Sequence, residues 1–149
     1  MKVETKGHQH VKHTCIHALA MLLLCVNFEA FAEDWTSINK AKDLEVLVDM
    51  DSYNESGGQP YIISKTIFNK PQNYRNNQKV FAYFESRITR QFNCALHTVK
   101  NANNNFYGLK HTLVGSEKGS LNFEPVILGS TIASIENLVC QVHKMVGGQ

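Results

Sequence analysis

Alternation of apolar and polar residues with a period of two is the feature that most constrains the fold of this chain. It is clearest in AYFESRITRQFNC, where one side of an extended strand carries Ala82, Phe84, Ile88, Phe92 and Cys94. DLEVLVDMD alternates in the same way, and YIISKTIF is rich in β-branched side chains. The chain is therefore predicted to form a sheet with one face on a core and one toward water. Arg90 interrupts the apolar side, as expected at a bulge, at an edge or where a side chain reaches out of the core.

Polar segments and turn residues separate these strands. NESGGQP predicts a turn at Gly57 and Gly58. NKPQNYRNNQK, residues 69–79, predicts a polar loop, and NANNN, residues 101–105, predicts another. ALHTVK is predicted to continue as a strand, and YGLKHTLVG alternates again with His111 in phase on its apolar side.

The end of the chain has a different period. In GSTIASIENLVC the apolar residues recur at helical spacing, at Ile132, Ile135, Leu138 and Val139. Ser130 or Thr131 can cap the helix. A C-terminal helix that lays this stripe on the sheet is therefore predicted.

The first 32 residues have the composition of a secretory signal peptide. Three lysines precede a mainly apolar stretch from Cys15 to Phe28, which at about 14 residues is shorter than a spanning helix of roughly 20. Ala30 and Ala32 form a small-x-small cleavage site. Cleavage after Ala32 would leave residues 33–149 as a single domain.

Two other interpretations of this segment are an uncleaved membrane anchor and a lipid anchor on Cys25. A lipobox needs a small residue before the modified cysteine, and Leu24 occupies that position. The lipid anchor is therefore disfavoured, and no stable membrane insertion is expected after cleavage.

Charge and length exclude several classes of protein. Without the three lysines and two glutamates of the leader, 12 basic and 11 acidic residues remain, so the net charge is near +1. No global field favours a nucleic-acid partner or a membrane surface. The remaining 117 residues have the size of one small domain.

The cysteines of this domain are Cys94 and Cys140. An even number in an exported chain favours one disulfide. A pair of buried thiols and a metal site that recruits further ligands are the alternatives.

The predicted domain, residues 33–149, carries no catalytic, metal or cofactor motif. His97, His111 and His143 lack the spacing of a histidine metal site, and Ser130 lacks the glycines of a nucleophile elbow. DMDSYNESGGQP lacks the glycine and glutamate of a calcium loop. We therefore expect no enzyme, although histidines brought together by the fold would be an alternative.

One surface segment is a candidate for recognition. Lys70, Tyr74, Arg75 and Lys79 combine positive charge with an aromatic ring in the predicted polar loop. Loops on a rigid scaffold often carry recognition, so these four residues are the predicted protein-binding surface.

The chain resembles the surface-adhesin E family of exported bacterial proteins. The resemblance lies in Trp35 after the leader, VDMDSY at 48–53, KPQ at 70–72, FNCA at 92–95 and EPVILGSTIASIENLVC at 124–140. It implies an α+β fold, with an antiparallel sheet of about five to six strands and a C-terminal helix on one face. It also implies a disulfide between Cys94 and Cys140.

The family resemblance further implies a function. Its type member is a lipid-anchored surface adhesin that binds host matrix and serum proteins and can form a homodimer. Because Leu24 departs from the lipobox, a periplasmic or secreted location is expected, with the cell surface as a further option. The expected function is an exported, non-catalytic module that binds a matrix or serum glycoprotein. The alternative is a small periplasmic protein that inhibits or assists an envelope enzyme.

Overall fold

The computed structural model describes residues 34–147. The predicted signal peptide and its cleavage site after Ala32 lie outside the described residues. Within residues 34–147, no helix combines the length and the apolar composition needed to cross a bilayer.

The described residues form one antiparallel sheet and one long helix. The strands are β1 Trp35–Lys40, β2 Leu44–Ser56, β3 Gln59–Arg75, β4 Val80–Asn93, β5 Thr98–Tyr107, β6 Leu113–Lys118 and β7 Glu124–Pro125. A 3-10 turn covers Leu109–His111, and helix α1 covers Thr131–Met145. Strands β1 to β6 lie side by side in chain order, and the short β7 pairs with β5. The predicted antiparallel sheet with a C-terminal helix is confirmed, with β7 as an additional two-residue strand.

The β2–β3 hairpin turns at the predicted glycines. Gly57 and Gly58 have φ angles of 62° and 73°, which residues with a Cβ rarely adopt. Two successive positive φ angles are typical of the two-residue turn that matches the twist of paired strands. The flanking residues, from Asn54 to Ser56 and from Gln59 onward, belong to the strands.

Helix α1 packs on one half of one sheet face. The buried cluster there contains Val46, Val48, Ile62 and Phe92 from the sheet and Ile135 and Val139 from the helix. The helix begins after Ser130, whose Oγ accepts a hydrogen bond from the Ala133 backbone nitrogen at 3.2 Å. The predicted apolar stripe and cap are therefore confirmed.

A disulfide joins the sheet to the helix. Cys94, directly after β4, is bonded to Cys140 of α1, with an S–S distance of 2.01 Å and a Cα–Cα distance of 5.7 Å. This is the pair that the family resemblance implies. The bond holds α1 against the end of the sheet at which the β4–β5 turn lies.

The prediction of a polar loop over residues 69–79 is wrong for most of its length. Residues 69–75 extend β3, and the hairpin turn lies between Arg75 and Val80. Pairing with β4 outweighs the weak strand preference of Asn and Gln, because Tyr74 lies opposite Phe81 and the two rings stack. The ladder shifts register between Ile67 and Gln72, and this irregularity contains Pro71, which has no N–H to donate.

Two predictions around β5 are also wrong. The segment NANNN is part of β5 because β4 pairs with it on one side and β6 on the other. The expected strand through His111 is broken, since Lys110 and His111 have φ angles of 56° and 55° in the 3-10 turn. His111 is therefore exposed in a turn and does not lie on an apolar strand face. The turn before β5 likewise takes up residues 94–97, where a continuous strand was expected.

Arg90, which interrupts the apolar side of β4, is buried at a bulge. The β4–β5 register shifts between Thr89 and Arg90. The Arg90 Nε donates to Ser64 Oγ at 3.0 Å, and its NH1 donates to Asn101 Oδ1 at 2.7 Å. Burial lowers the pKa of Arg90 to about 10. These neutral acceptors offset part of the cost of burying the guanidinium.

Candidate functional site

The four residues of the predicted binding surface lie on one hairpin. Lys70, Tyr74 and Arg75 belong to the last part of β3, and Lys79 lies in the turn before β4. The side chains of Lys70, Arg75 and Lys79 are exposed, whereas Tyr74 is half-buried. The three cations are therefore available to a partner, and Tyr74 has a different environment.

The tip of the hairpin is held by Asn76. Its Oδ1 accepts hydrogen bonds from the backbone nitrogens of Gln78, at 2.9 Å, and Lys79, at 2.7 Å. Its own backbone nitrogen donates to the Lys79 carbonyl at 3.0 Å. This is the usual role of an asparagine that bonds to its own backbone in a turn. The Asn76-Asn77 pair is the sequence signal for it.

Aromatic side chains fix the shape of the hairpin. The Tyr74 ring stacks on Phe81 with a centroid distance of 4.8 Å and lies 4.9 Å from Phe106. Tyr83 also contacts Phe106 at 4.9 Å. At Gly115 of β6 a Cβ atom would lie 2.4 Å from Phe81, so the ring occupies the space that a side chain would need.

This aromatic cluster lies on the same sheet face as α1. Residues opposite each other in an antiparallel pair share a face. Val46, which contacts the helix, is opposite Thr66, Thr66 is opposite Ser86, and Ser86 is opposite Phe106. The face is therefore covered by α1 over one half and by its own aromatic rings over the other.

The Tyr74 side chain is part of this cluster. Burial among the rings, followed by the nearby Glu117, raises the pKa of the Tyr74 hydroxyl. The hydroxyl accepts a hydrogen bond from the Asn76 side chain at 2.8 Å. The Tyr74 ring therefore packs within the hairpin, whereas the three cations face solvent.

Each of the three histidines in the described part of the chain lies beside a glutamate. The Nδ1 atoms of His97 and His111 lie 3.2 Å from Glu136 and Glu85 respectively. The Nδ1 of His143 lies 2.8 Å from Glu55 Oε1. These pairs join distant elements and do not converge. Residues 34–147 contain no cluster of three metal-ligating side chains.

The Glu55–His143 pair ties the end of β2 to the last turn of α1. Glu55 Oε1 also accepts a hydrogen bond from the Tyr53 hydroxyl at 2.7 Å. The pKa of Glu55 is lowered mainly by that hydrogen bond and to a smaller extent by the contact with His143. The pKa of Tyr53 is raised to about 12, mainly by burial and to a smaller extent by the Glu55 carboxylate. The cluster is a structural tie at the sheet end away from the Lys70–Lys79 hairpin.

The cations on the second sheet face contact aromatic rings or a carboxylate. Lys65 Nζ lies 3.8 Å from the ring centroid of Trp35, and the Arg87 guanidinium carbon lies 4.9 Å from that of Tyr107. The Arg87 Nε donates to the buried Glu85 carboxylate at 2.5 Å. Arg87 is therefore held by an aromatic ring and a carboxylate, unlike the exposed cations of the hairpin.

Comparisons with known proteins agree with this architecture. The profile of a family described as Surface-adhesin protein E matches residues 35–141. No protein of curated function matches the sequence significantly.

Among solved structures, crystal form II of Haemophilus influenzae protein E superposes with a TM-score of 0.54 at 10% identity. The alignment covers 76% of this chain and 98% of that chain. A second structure, protein E from non-typeable Haemophilus influenzae, gives a TM-score of 0.53 at 14% identity. That alignment covers 73% of this chain and 78% of the other. At this identity the superpositions establish a shared fold.

Tyr74→Ala should lower the free energy of unfolding by about 1–3 kcal/mol, below the 3–5 kcal/mol typical of fully buried aromatic rings. The loss comes from contacts with Phe81 and Phe106. Tyr74→Phe, which keeps the ring, should cost less than about 1 kcal/mol. Urea denaturation measures both values, and an unchanged stability in Tyr74→Ala would show that the cluster does not hold the hairpin.

Glu55→Gln should destabilise the domain near neutral pH, and the difference from the parent should shrink in acid. The folded-state pKa of Glu55 lies below its ordinary value of 4.5, so its contribution is complete above 4.5 and is lost as the pH falls through the lowered value. Urea denaturation at about pH 7, 5 and 3 measures this difference. Glu124→Gln, at an exposed glutamate of β7, is the control. A difference that persists unchanged at the lowest pH would contradict this role.

Proposed function

We propose that this chain, which belongs to the surface-adhesin protein E family, is an exported module that binds host matrix or serum proteins without catalysing a reaction. The family match over residues 35–141 is the observation that carries the proposal. The composition of the leader supports export, with cleavage after Ala32. Because Leu24 precedes Cys25, we propose a periplasmic or secreted location, with cell-surface display as a further option.

The exposed cations of the β3–β4 hairpin are the proposed contact surface. No acidic residue occurs from Asn69 to Val80. Lys79 Nζ lies 3.4 Å from the neutral Ser116 carbonyl of β6, and Glu117 of β6 is an acidic neighbour of the hairpin at Tyr74. Exposed charges of one sign attract an oppositely charged partner and raise the association rate more than they raise the final affinity.

The hairpin is also suited to binding because its shape is set before a partner arrives. Asn76 closes the tip, and Tyr74 packs the strands onto Phe106. Less conformational entropy is then lost when Lys70, Arg75 and Lys79 meet a ligand. In this proposal Tyr74 supports the site and the three cations form it.

Reversal of the three cations, Lys70→Glu, Arg75→Glu and Lys79→Glu, should lower the association rate with an immobilised matrix glycoprotein by roughly tenfold at low salt. The difference should narrow as salt shortens the screening length below about 8 Å. Stability should change little, because solvated charges contribute little to folding. Surface plasmon resonance at two salt concentrations measures the rates.

The matched control is Lys100→Glu, Lys118→Glu and Lys144→Glu, which makes the same change in net charge away from the hairpin. The control should associate close to the parent rate. Equal losses in the two triple variants would attribute binding to net charge and remove the hairpin from the proposal.

A further inference from the structure

The fold brings a lysine from another turn beside the hairpin. The β1–β2 turn contains Lys42, which is exposed. Asn69 of β3 holds this turn through two hydrogen bonds. Its side chain donates to the Lys42 carbonyl at 2.6 Å, and its backbone nitrogen donates to the Asp43 carbonyl at 3.0 Å. Since Lys70 follows Asn69 directly, the backbone of Lys42 lies beside the segment of β3 that carries Lys70.

A third turn adds Lys110 at the same end of the sheet. This exposed lysine lies in the 3-10 turn after β5. The turn is closed by a hydrogen bond from the Gly108 nitrogen to the Thr112 carbonyl at 2.8 Å. It is tied to the sheet by the contact between His111 and Glu85.

One cross-strand row marks off this region. Glu45, Ile67, Glu85 and Tyr107 lie opposite one another along β2, β3, β4 and β5. We call the part of the sheet beyond this row, residues 41–44, 68–84 and 108–112, the basic end. Among the described residues its lysines and arginines are Lys42, Lys70, Arg75, Lys79 and Lys110. Asp43 is the acidic residue within these ranges, and Glu117 of β6 lies beside Tyr74.

The spacing of these charges favours a long ligand. Neighbouring strands lie about 4.7–4.9 Å apart, so the turns with Lys42 and Lys110 are separated by roughly 15–20 Å. That distance exceeds the size of a single small anion. It suits a linear polyanion that presents charge at repeated intervals along its length.

The uncharged surface of the basic end favours a polysaccharide over an acidic protein. Protein interfaces usually centre on buried aromatic anchors. Here the rings of Tyr74, Phe81 and Phe106 pack on one another, and the exposed apolar side chains include the aliphatic Val80 and Leu109. The exposed side chains between the cations include amides, at Asn73, Asn77 and Gln78. Amides donate to and accept from hydroxyl and sulfate oxygens, which such a ligand carries.

We propose that the basic end binds a sulfated polysaccharide of the glycosaminoglycan class. This inference rests on the proposed function, because it names the part of a matrix ligand that the hairpin contacts. Sulfate groups would lie against the cations of three turns, and the sugar hydroxyls against the amides of the hairpin. The hydrogen bonds from Asn69 hold the β1–β2 turn against β3 before binding.

The test compares two double variants in binding to heparin oligosaccharides. Lys42→Glu with Lys110→Glu changes the basic end outside the β3–β4 hairpin. Lys118→Glu with Lys144→Glu makes the same change in charge at exposed lysines outside the basic end. The first variant should lose roughly tenfold or more in affinity, and the second should stay within about twofold of the parent. Titration calorimetry gives the affinities, and thermal unfolding checks that both variants fold.

The role of sulfate is tested with chemically desulfated heparin, which keeps its carboxylates. The protein should bind heparin and should not bind the desulfated chain. Equal affinity for the two chains, or equal losses in the two double variants, would overturn the proposal.

A further binding experiment distinguishes failure of this inference from failure of the proposed function. A matrix proteoglycan is immobilised before and after a lyase removes its glycosaminoglycan chains. Binding that disappears with the chains supports the inference. Binding that survives lyase treatment, yet is lost on reversal of Lys70, Arg75 and Lys79, would overturn the inference and leave the proposed function standing. No binding to heparin or proteoglycan by the parent would overturn the inference, and the proposed function would then be decided by the association with a matrix glycoprotein.

Discussion

One helix has to cover a sheet face that is longer than the helix. Helix α1 has 15 residues and spans about 22 Å, whereas β3 has 17 residues and spans roughly 55 Å. The helix covers the half of the face around Ile62 and Phe92. The other half packs by itself, through Tyr74, Phe81 and Phe106. The β3–β4 hairpin therefore directs its rings inward, while its lysines and its arginine remain in water.

In the proposed account, stability and recognition depend on different ends of the sheet. The covalent tie from Cys94 to Cys140 and the contact between Glu55 and His143 fasten α1 to the end with the β2–β3 and β4–β5 turns. The basic end is instead held by hydrogen bonds from Asn69 and Asn76 and by ring packing. Its charges are solvated and contribute little to folding. They can therefore be changed for binding studies without loss of the native sheet.

The sequence predicts the parts of the fold that follow from local periodicity. The part of β4 around Phe92 and the helical stripe through Ile135 and Val139 lie where expected. The alternation fails at the start of β4, because Ala82 is exposed while Phe81 and Tyr83 pack on Phe106. The polar end of β3 was not predictable in this way, because its strand conformation depends on Phe81 of the next strand. Likewise, no spacing rule links Lys42 or Lys110 to Lys70. The two hydrogen bonds of Asn69 hold the turn with Lys42 against β3, and strand order places the turn with Lys110 at the same end of the sheet. The sequence identified Tyr74 as a candidate binding residue. Its packing role in the hairpin could not be predicted, because it depends on a contact with Phe106, which is distant in the sequence.

The central claim is that ligands bind at the basic end, away from the end that the disulfide fastens. Backbone amide chemical shifts, measured by NMR during titration with a sulfated oligosaccharide, test this claim residue by residue. The account predicts shifts confined to residues 41–44, 69–80 and 108–112. The signals of Gly57, Gly58 and residues 94–97 should stay in place. Shifts centred on those turns or on α1, with the basic end unchanged, would contradict the account.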